Sequence, residues 1–163
     1  MICQKKIKAK RKKRRLKICL VCSVGGHFKQ LLKLSSAWKN CDYFYMLFYK
    51  PVIDSFLKKE KVFLVASPER NPVLFILNIY QSLVVFLKTW PDVIISTGAG
   101  VAIAICYIAK LFQKRVIYIE DWCVVEKPSL TGRVVYPIAD LFIIQRKHLK
   151  KYYPKAAFGG ELF

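Results

Sequence analysis

The sequence predicts an α/β fold in which a parallel sheet is covered by helices on both faces. Short apolar segments alternate with longer segments of helical periodicity through residues 16–163. The short segments are apolar on both faces, as buried parallel strands are. Two of them end in glycine-rich turns, at Gly25–Gly26 and Gly98–Gly100. This alternation is typical of a Rossmann-like, doubly wound sheet, with the strand order 3-2-1-4-5-6.

The first half of the chain contains three predicted strands, each followed by a helix. Proline at the start of a segment favours the first turn of a helix, which supports two of the three helices. The predicted strands are Ile18–Ser23, Tyr43–Phe48 and Val62–Val65, and the predicted helices are His27–Trp38, Pro51–Lys58 and a long one from Pro72 to about Lys88.

The second half repeats this pattern after the break at Trp90–Pro91. Small residues on one side of its first helix suit close packing on a sheet. The predicted strands are Asp92–Ile95, Arg115–Ile119 and Leu141–Ile144; the predicted helices are Val101–Phe112 and Ser129–Tyr136, and one or two helical turns are expected within Gln145–Tyr153.

The cysteine pattern does not indicate a metal or redox site. Cys19 and Cys22 form a C-x-x-C, but it lies inside the first predicted strand. Residues i and i+3 of a strand point to opposite faces of the sheet, so the two thiols cannot converge on one ligand. We therefore expect buried free thiols, as in a reducing compartment.

Charge divides the chain into two regions. The formal net charge is +19, and ten of the 29 basic residues lie between Lys5 and Lys17. We predict a basic arm over residues 1–15 and one domain over residues 16–163, a length that suits a single core. The arm residues expected to bind an anionic membrane surface are Lys10, Arg11, Lys12, Lys13, Arg14 and Arg15. A solvated tail is the alternative interpretation.

Among the possible partners of the basic arm, nucleic acid is the least favoured. Aromatic residues are frequent, but they are spread through the strands and helices instead of alternating with basic residues. A platform that stacks bases would need such alternation. We therefore expect no specific nucleic-acid binding.

The segment Val73–Leu87 is apolar nearly all round. Its 15 residues would rise about 22 Å as a helix, which is shorter than the hydrocarbon core of a bilayer. Two interpretations remain open at this point: a helix buried in the domain, or a helix lying in the membrane interface.

The two glycine-rich loops are the strongest indication of a ligand site. In the predicted strand order they follow neighbouring strands, at the position where such sheets bind ligands. Each loop opens a helix, and helix N-termini present free N–H groups and positive potential to anions. We predict that a phosphate or diphosphate binds there, although tight turns alone would also need glycine. The predicted contacts are Ser23, Gly25 and Gly26 in one loop and Thr97, Gly98 and Gly100 in the other.

Two titratable side chains lie at the same predicted edge. His27 begins the helix after the first loop and could donate to a phosphate or act as a base. Glu120 ends a strand and could bind an acceptor hydroxyl, or it could cap a helix. Ser129 and Thr131 start the next helix and could cap it or contact the same ligand. The sequence lacks G-x-G-x-x-G and P-loop motifs and a metal-ligand cluster, so we expect neither a cofactor nor a metal.

Four motifs in this order resemble one protein family. They are V-x-S-V-G-G-H-F-x-Q-L-L, P-D-V-I-I-S-T-G-A-G, V-I-Y-I-E and S-L-T-G-R-V-V-Y-P-I-A-D-L-F-I-I-Q. The family is that of the membrane-anchoring subunit of the eukaryotic dolichol-linked N-acetylglucosaminyltransferase, with its counterparts in bacterial capsule and exopolysaccharide gene clusters. The resemblance extends from about Leu16 to the C-terminus. A more distant similarity is to the N-terminal half of the transferase that forms lipid II.

The resemblance implies a GT-B glycosyltransferase divided between two chains. This chain would be the N-terminal, acceptor-side half, and a separate catalytic subunit would bind the UDP-sugar donor. The implied acceptor is a polyprenyl-diphosphate-linked saccharide. The family's loops correspond to Gly25, Gly26 and His27 and to Thr97, Gly98 and Gly100, and its acidic residue corresponds to Glu120.

The chain also departs from the eukaryotic pattern. It has a basic arm where the eukaryotic subunit has an N-terminal membrane helix. We therefore expect a bacterial, peripheral protein at the cytoplasmic face of the cell membrane, inactive without its partner. Whether this chain contributes catalytic groups remains open. The alternative is a non-enzymatic membrane scaffold that recruits and enhances a partner glycosyltransferase.

Overall fold

The computed structural model describes residues 15–124 and 126–160, which form a seven-stranded sheet with every neighbouring pair parallel. The order is β3-β2-β1-β4-β5-β6-β7, so the predicted fold class and the order of the first six strands are confirmed. The strands are β1 Lys17–Val21, β2 Asp42–Leu47, β3 Val62–Leu64, β4 Val93–Ser96, β5 Arg115–Ile119, β6 Leu141–Ile144 and β7 Ala157–Phe158. Strand β7 is not predicted by the sequence pattern.

Helices cover both faces of the sheet. They are α1 Gly26–Lys33, α2 Asp54–Leu57, α3 Pro72–Thr89, α4 Val101–Leu111 and α5 Leu130–Val135. One core lies between the sheet and α1 and α2, and includes Leu20, Leu31 and Trp38. The other lies between the sheet and α3, α4 and α5, and includes Phe86 and Ile105. The strands of such a sheet are apolar on both faces because each face contacts a layer of helices.

The C-x-x-C residues lie on opposite faces, as predicted. Cys19 packs in the core beneath α3 and α4, and Cys22 packs in the core beneath α1. Burial raises the pKa of the Cys22 thiol to about 12, although a hydrogen bond with Thr97 opposes the shift. The thiol is therefore protonated at neutral pH and is a poor nucleophile or metal ligand.

Two predicted helices are shorter than expected. The helix predicted over His27–Trp38 ends at Lys33, and a separate 3₁₀ turn follows at Ser35–Ala37. Serine side chains compete for backbone hydrogen bonds and favour turns, which explains the early end. The segment predicted from Pro51 begins as a 3₁₀ turn and becomes α2 only at Asp54. Within Gln145–Tyr153 the chain forms a 3₁₀ turn, Lys147–Lys151.

The long helix α3 begins with an Asn–Pro cap and is largely exposed. The Asn71 carboxamide oxygen accepts from the amides of Val73 and Leu74 at 2.9 and 3.3 Å, which satisfies donors of the first turn. Among the described residues, α3 is the one helix long and apolar enough to cross a bilayer by length and composition, and 28% of it is buried. Of the two interpretations of this segment, a helix buried in the domain does not fit the described residues, because most of α3 is exposed.

The predicted basic arm falls almost entirely outside the described residues. Lys10, Arg11, Lys12, Lys13 and Arg14 belong to residues 1–14, which the structure does not describe. Arg15 is exposed at the start of the described chain, two residues before β1. The proposed division at residue 15 stays a prediction.

Candidate functional site

The two glycine-rich loops lie side by side. Strands β1 and β4 are neighbours in the sheet. Val21, the last residue of β1, pairs with Ser96, the last residue of β4. The loops that follow these strands therefore leave the same edge of the sheet at the point where the strand order reverses. Ligands of doubly wound sheets bind at this position.

Two hydrogen bonds join the loops directly. The imidazole Nδ1 of His27 lies 2.7 Å from the carbonyl oxygen of Thr97, and the Thr97 hydroxyl donates to the His27 carbonyl at 2.8 Å. A carbonyl oxygen only accepts, so Nδ1 carries the proton. This fixes the tautomer and directs Nε2 away from Thr97.

Gly98 lets the imidazole lie against the second loop. Its φ is +117°, a conformation that favours glycine. A Cβ added to it would lie 2.9 Å from His27 Cε1 and 3.1 Å from Nδ1. The glycine therefore supplies both the turn and the space for the His27 ring.

A network of polar side chains lies next to the Nε2 side of the His27 ring. Its Nε2 lies 3.6 Å from Asp121 Oδ2, close enough for an ion pair when the ring is protonated. The Asp121 carboxylate also accepts from the Gln30 amide, and the Gln30 carbonyl accepts from Gln145 Nε2 at 2.9 Å. Gln145 Nε2 donates again to the backbone carbonyl of Glu120 at 2.9 Å. Gln30 and Gln145 are buried, so these bonds orient Asp121 without competition from water.

The Glu120 carboxylate is internal. Its Oε1 accepts from the Ser129 hydroxyl at 2.6 Å and from the Asp121 amide at 3.2 Å, and its Oε2 accepts from the Tyr153 hydroxyl at 2.7 Å. The residue is fully buried. Ser129 also accepts from the Gly132 amide at 2.8 Å and so caps α5. In this conformation the carboxylate stabilises the junction of β5, α5 and the C-terminal segment.

Gly132 is required by this arrangement. A Cβ at this position would lie 2.0 Å from Glu120 Oε2 and 2.7 Å from the Tyr153 hydroxyl oxygen. Burial and the neighbouring Glu120 carboxylate raise the pKa of Tyr153. The phenol is therefore a proton donor to Glu120 throughout the physiological range.

The remaining predicted contacts lie around a separate groove. Gly100 and Thr131 line a cavity of about 510 Å³ between the β3–α3 loop, α4 and α5. Asn71 and Phe75 line the same groove from the side of α3. This groove lies at the N-terminal end of α4, while His27 lies at the N-terminal end of α1.

The structure thus divides the predicted site residues into three groups. His27, Thr97 and Gly98 are in direct contact; Glu120 and Ser129 are in direct contact; and Gly100 and Thr131 share the groove. Ser23 is half-buried in the first loop, before Gly25 and Gly26. Apart from its chain neighbours and the backbone of its own helix, no described residue lies within 4 Å of a Cβ built on Gly25 or Gly26. Packing within the described chain therefore does not explain the absence of a side chain at Gly26.

Three residues that organise the site were not predicted from the sequence. Gln30 lies one turn after His27 on α1, and Gln145 directly follows β6 at the same edge of the sheet. Polar side chains at those positions could have indicated a shared site. Tyr153 lies in an irregular segment after the 3₁₀ turn, where no periodic pattern indicated its contact with Glu120.

The fold and the paired loops define the class of protein: a doubly wound domain with a candidate anion site at the topological switch point. A family model described as "Oligosaccharide biosynthesis protein Alg14 like" matches residues 64–162. The chain belongs to this family.

Curated relatives support the same family. The "UDP-N-acetylglucosamine transferase subunit ALG14" of Rattus norvegicus is 37% identical over 78 residues, which are 44% of this chain and 36% of the relative. The protein of the same name from Debaryomyces hansenii is 28% identical over 136 residues, which are 80% of this chain and 54% of the relative. The chain thus spans about half or less of the length of these relatives.

A solved structure shows the same fold at low sequence identity. The structure of MurG from Acinetobacter baumannii superposes with a TM-score of 0.67 and 12% identity, over 90% of this chain and 44% of that chain. This likeness concerns the fold alone, and it agrees with the Rossmann-like N-terminal domain of GT-B enzymes.

Proposed function

We propose that this chain is the acceptor-binding, membrane-associating subunit of a two-chain glycosyltransferase. In this proposal a partner chain binds a UDP-sugar, and the two chains transfer the sugar to a polyprenyl-diphosphate-linked saccharide. The family supports the assignment, because its named relatives are subunits of a UDP-N-acetylglucosamine transferase. The UDP-sugar donor, the lipid-linked acceptor and the partner chain are all proposed for this protein.

The observation that carries the proposal is the junction of the two loops at the switch point. His27 and Thr97 join them by reciprocal hydrogen bonds, and both loops open helices of eight residues or more. The positions around Gly25 and Gly26 are open to an approaching anion. Backbone N–H groups at two helix N-termini suit a diphosphate.

His27 is the candidate for contact with the acceptor. Its side chain is 24% exposed, and its protonated Nδ1 is already bonded to Thr97. The remaining nitrogen, Nε2, lies 3.6 Å from the Asp121 carboxylate. Such an imidazole can donate to an acceptor phosphate or accept the proton of an acceptor hydroxyl.

We assign Glu120 a positioning role within this function. Both carboxylate oxygens are bonded internally, so in this conformation neither is presented to a ligand. Through Ser129 the carboxylate holds the start of α5, and with it Thr131 at the groove. Loss of Glu120 would therefore act on the site through the placement of α5.

Membrane association is proposed from two features. The arm of residues 1–15 is strongly basic, and α3 presents exposed apolar side chains, among them Val73, Ile76 and Tyr80. Basic residues near an anionic leaflet contribute about 1 kcal/mol each. We place the protein peripherally at the cytoplasmic face, where anionic lipid and UDP-sugar would both be available.

We also propose that the pathway is bacterial capsule or exopolysaccharide synthesis. This narrower assignment rests on the basic arm and on the motif resemblance. Deletion of the gene in a capsulated host would then abolish the surface polysaccharide. If the host retains its capsule and instead loses a different lipid-linked glycan, the pathway assignment is wrong while the subunit function stands.

The test of the function is reconstitution. The isolated chain should not transfer a sugar from a UDP-sugar to a lipid-linked acceptor, and co-expression with the partner chain should produce activity. The measurement is the formation of radiolabelled lipid-linked product. Sugar transfer by the isolated chain would contradict the proposal that activity requires both chains.

A non-enzymatic scaffold is the second candidate function. The internal position of Glu120 favours it, because this chain then offers fewer free catalytic groups to the substrate. In that case His27→Ala would leave the activity of the assembled pair unchanged. A large fall in activity with intact pair formation would exclude the scaffold.

A further inference from the structure

A basic pocket lies beside the candidate site, at the same edge of the sheet. Its volume is about 590 Å³, and its lining residues are Glu126, Lys127, Arg146, His148, Lys151 and Tyr152. We call it the Arg146 pocket. Lys127, Arg146 and Lys151 carry positive charge, and Glu126 is the one acidic residue of the lining. Positive charge is therefore in excess, and the pocket suits an anion.

The Arg146 side chain is held in place by Trp122. Its Nε donates to the Trp122 carbonyl oxygen at 3.1 Å, and its guanidinium lies over the indole, 4.7 Å from the ring centroid. Within residues 15–124 and 126–160, the terminal nitrogens Nη1 and Nη2 of Arg146 form no hydrogen bond or ion pair. A guanidinium fixed in this way keeps two parallel donors for a carboxylate or a phosphate.

A second pair of a cation and an aromatic ring lines the pocket. The Lys151 ammonium lies over the Tyr152 ring, 4.9 Å from the centroid, and Tyr152 is 40% exposed. The ring offers an apolar face and a hydroxyl next to the positive charge. A sugar has apolar ring faces and hydroxyl groups, so it can use these contacts, whereas an inorganic anion would use the charges alone.

Consecutive residues connect the Arg146 pocket to the candidate site. Asp121 and Gln145 belong to the polar network next to His27, and the residues that follow them, Trp122 and Arg146, form the contact at the pocket. The glycine-rich loops follow β1 and β4, and Arg146 follows β6, with β5 between them. Neighbouring strands lie about 4.8 Å apart, so the pocket is roughly 10–15 Å from the loops along this edge. A short saccharide can span this distance.

We infer that the Arg146 pocket binds a negatively charged group on the saccharide of the acceptor, either a carboxylate or a phosphate ester. The inference rests on the proposed function, which puts the acceptor diphosphate at the glycine-rich loops, and it adds the chemical class of the attached saccharide. A neutral saccharide would leave the paired donors of Arg146 without an oxyanion. The pocket therefore makes the protein selective for acidic acceptors over neutral ones.

The test is NMR titration of the full chain with three monosaccharides at constant ionic strength. Glucuronic acid carries a carboxylate, glucose 6-phosphate carries a phosphate ester, and glucose is neutral. An acidic sugar should bind at least about tenfold tighter than glucose, because a charged hydrogen bond with Arg146 adds to the contacts of the sugar ring. If only one acidic sugar does so, the inference stands and that sugar identifies the anionic group. Equal affinities of all three sugars would overturn the inference.

Inorganic phosphate shows whether the pocket binds a sugar or any anion. It should bind more weakly than glucose 6-phosphate, because it lacks the contacts of the sugar ring. Equal affinities of inorganic phosphate and glucose 6-phosphate would contradict the assignment to a saccharide.

Two lysines of one 3₁₀ turn provide matched variants. Lys151 lines the pocket and Lys147 does not, although both are exposed. Lys151→Gln should weaken the binding of the acidic sugars by roughly fivefold, and Lys147→Gln, with the same change in net charge, should have little effect. Circular dichroism verifies that both variants are folded. Equal effects of the two substitutions would show that only the overall charge matters and would overturn the inference.

Arg146→Lys tests the paired donors. It keeps the positive charge but removes the planar arrangement of two N–H groups, so acidic sugars should bind about tenfold more weakly while the affinity for glucose stays the same. Unchanged binding of the acidic sugars by this variant would place the anion elsewhere on the molecule.

Activity of the assembled pair separates this inference from the proposed function. If the pair transfers sugar to a neutral lipid-linked acceptor as fast as to an acidic one, the inference is wrong and the function stands. If the pair transfers nothing while acidic sugars bind at the pocket as described, the function fails and the pocket remains a site for acidic sugars. If Arg146→Lys and Lys151→Gln instead prevent pair assembly and leave sugar binding intact, the pocket binds the partner chain and the inference is wrong.

Discussion

His27 and Thr97 are joined by two reciprocal hydrogen bonds, 2.7 Å from the imidazole Nδ1 to the Thr97 carbonyl and 2.8 Å from the Thr97 hydroxyl to the His27 carbonyl. The two residues are 70 positions apart in the chain. This contact joins the ends of β1 and β4, so the ring that faces the candidate site also fixes the geometry of both loops. Substitution of His27 therefore tests structure and function together.

Replacement of His27 should reduce the activity of the assembled pair. His27→Ala removes Nε2 from the site and the bond to Thr97, and we expect a fall of about 10²-fold or more in kcat if the ring moves a proton. The measurement is product formation at saturating donor, with pair assembly followed by size-exclusion chromatography. His27→Asn, which can restore the bond to Thr97 but not the proton transfer, is the control. If His27→Asn is fully active, the ring acts only as a link between loops.

Two glycines of the loops should respond differently to alanine. Gly98→Ala should destabilise the protein by about 1–3 kcal/mol, because its φ is +117° and the new Cβ would meet the His27 ring. Gly26→Ala should change the free energy of unfolding little, because no described residue other than its chain neighbours and the backbone of its own helix lies within 4 Å of its Cβ position. Urea denaturation measures both.

Gly26→Ala should nevertheless weaken the binding of inorganic diphosphate. The added methyl group would occupy the open space in front of the loop that the proposed function assigns to the anion. If Gly26→Ala binds diphosphate as tightly as the wild type, the anion does not approach the first loop.

Much of this arrangement follows from local sequence patterns. The apolar segments predict six strands, and the loops after Val21 and Ser96 become neighbours once the strand order is known. Strand β7 has only two residues and exists because Ala157 pairs with Ile143, a contact that no local pattern encodes. Periodicity also does not reveal that Gln145 bonds to Gln30 across 115 positions.

The position of Glu120 could be predicted from local sequence, but the orientation of its side chain could not. Its place at the end of β5 indicated the ligand edge, and the strand bounds agree. Its orientation depends on Tyr153 and on Ser129, which caps α5, and both contacts form only in the folded chain. A residue can therefore lie at the ligand-binding edge of the sheet while its side chain points into the core.

Glu120→Gln should destabilise the protein. The carboxylate accepts from Ser129 and Tyr153, and an amide NH₂ would place a donor against one of those hydroxyl groups. We expect a loss of about 1–3 kcal/mol in the free energy of unfolding. Glu126→Gln, at an exposed position, should change it by less than about 0.5 kcal/mol. If Glu120→Gln is as stable as the wild type, the carboxylate is not a structural acceptor and its role in the site should be reconsidered.

Asp140 should contribute stability that depends on pH. Burial acts to raise the pKa of its carboxyl, but a hydrogen bond from the Val116 amide and the nearby Lys110 and Arg115 outweigh burial and lower the pKa. A lowered folded-state pKa means that the stabilisation is complete above the unfolded-state pKa, near 4, and is lost as pH falls through the folded-state value.

Asp140→Asn should therefore be less stable than the wild type at pH 7, and the difference should shrink as pH falls below about 4. Thermal unfolding over this range is the measurement. Asp42→Asn is the control, because Asp42 is more exposed and its side chain lies 4.0 Å from Lys17. A constant difference between Asp140→Asn and the wild type at all pH values would show that the loss is steric.

Membrane binding should separate into an electrostatic part and an apolar part. The arm of residues 1–15 carries nine basic residues, and α3 exposes an apolar face. Deletion of residues 1–15 leaves β1, which begins at Lys17, and should not unfold the domain. We expect the deletion to remove binding to anionic vesicles that is sensitive to salt, since screening at high ionic strength weakens exposed charges.

Substitution of the α3 face should act differently. The combined change Val73→Gln, Ile76→Gln and Tyr80→Gln removes three side chains that are each about two thirds exposed or more. It should reduce the binding that persists at high salt, because apolar insertion is not screened. Vesicle sedimentation at low and high salt, with anionic and zwitterionic lipid, distinguishes the two contributions. Retention of full binding by a protein with both changes would place the membrane contact elsewhere on the molecule.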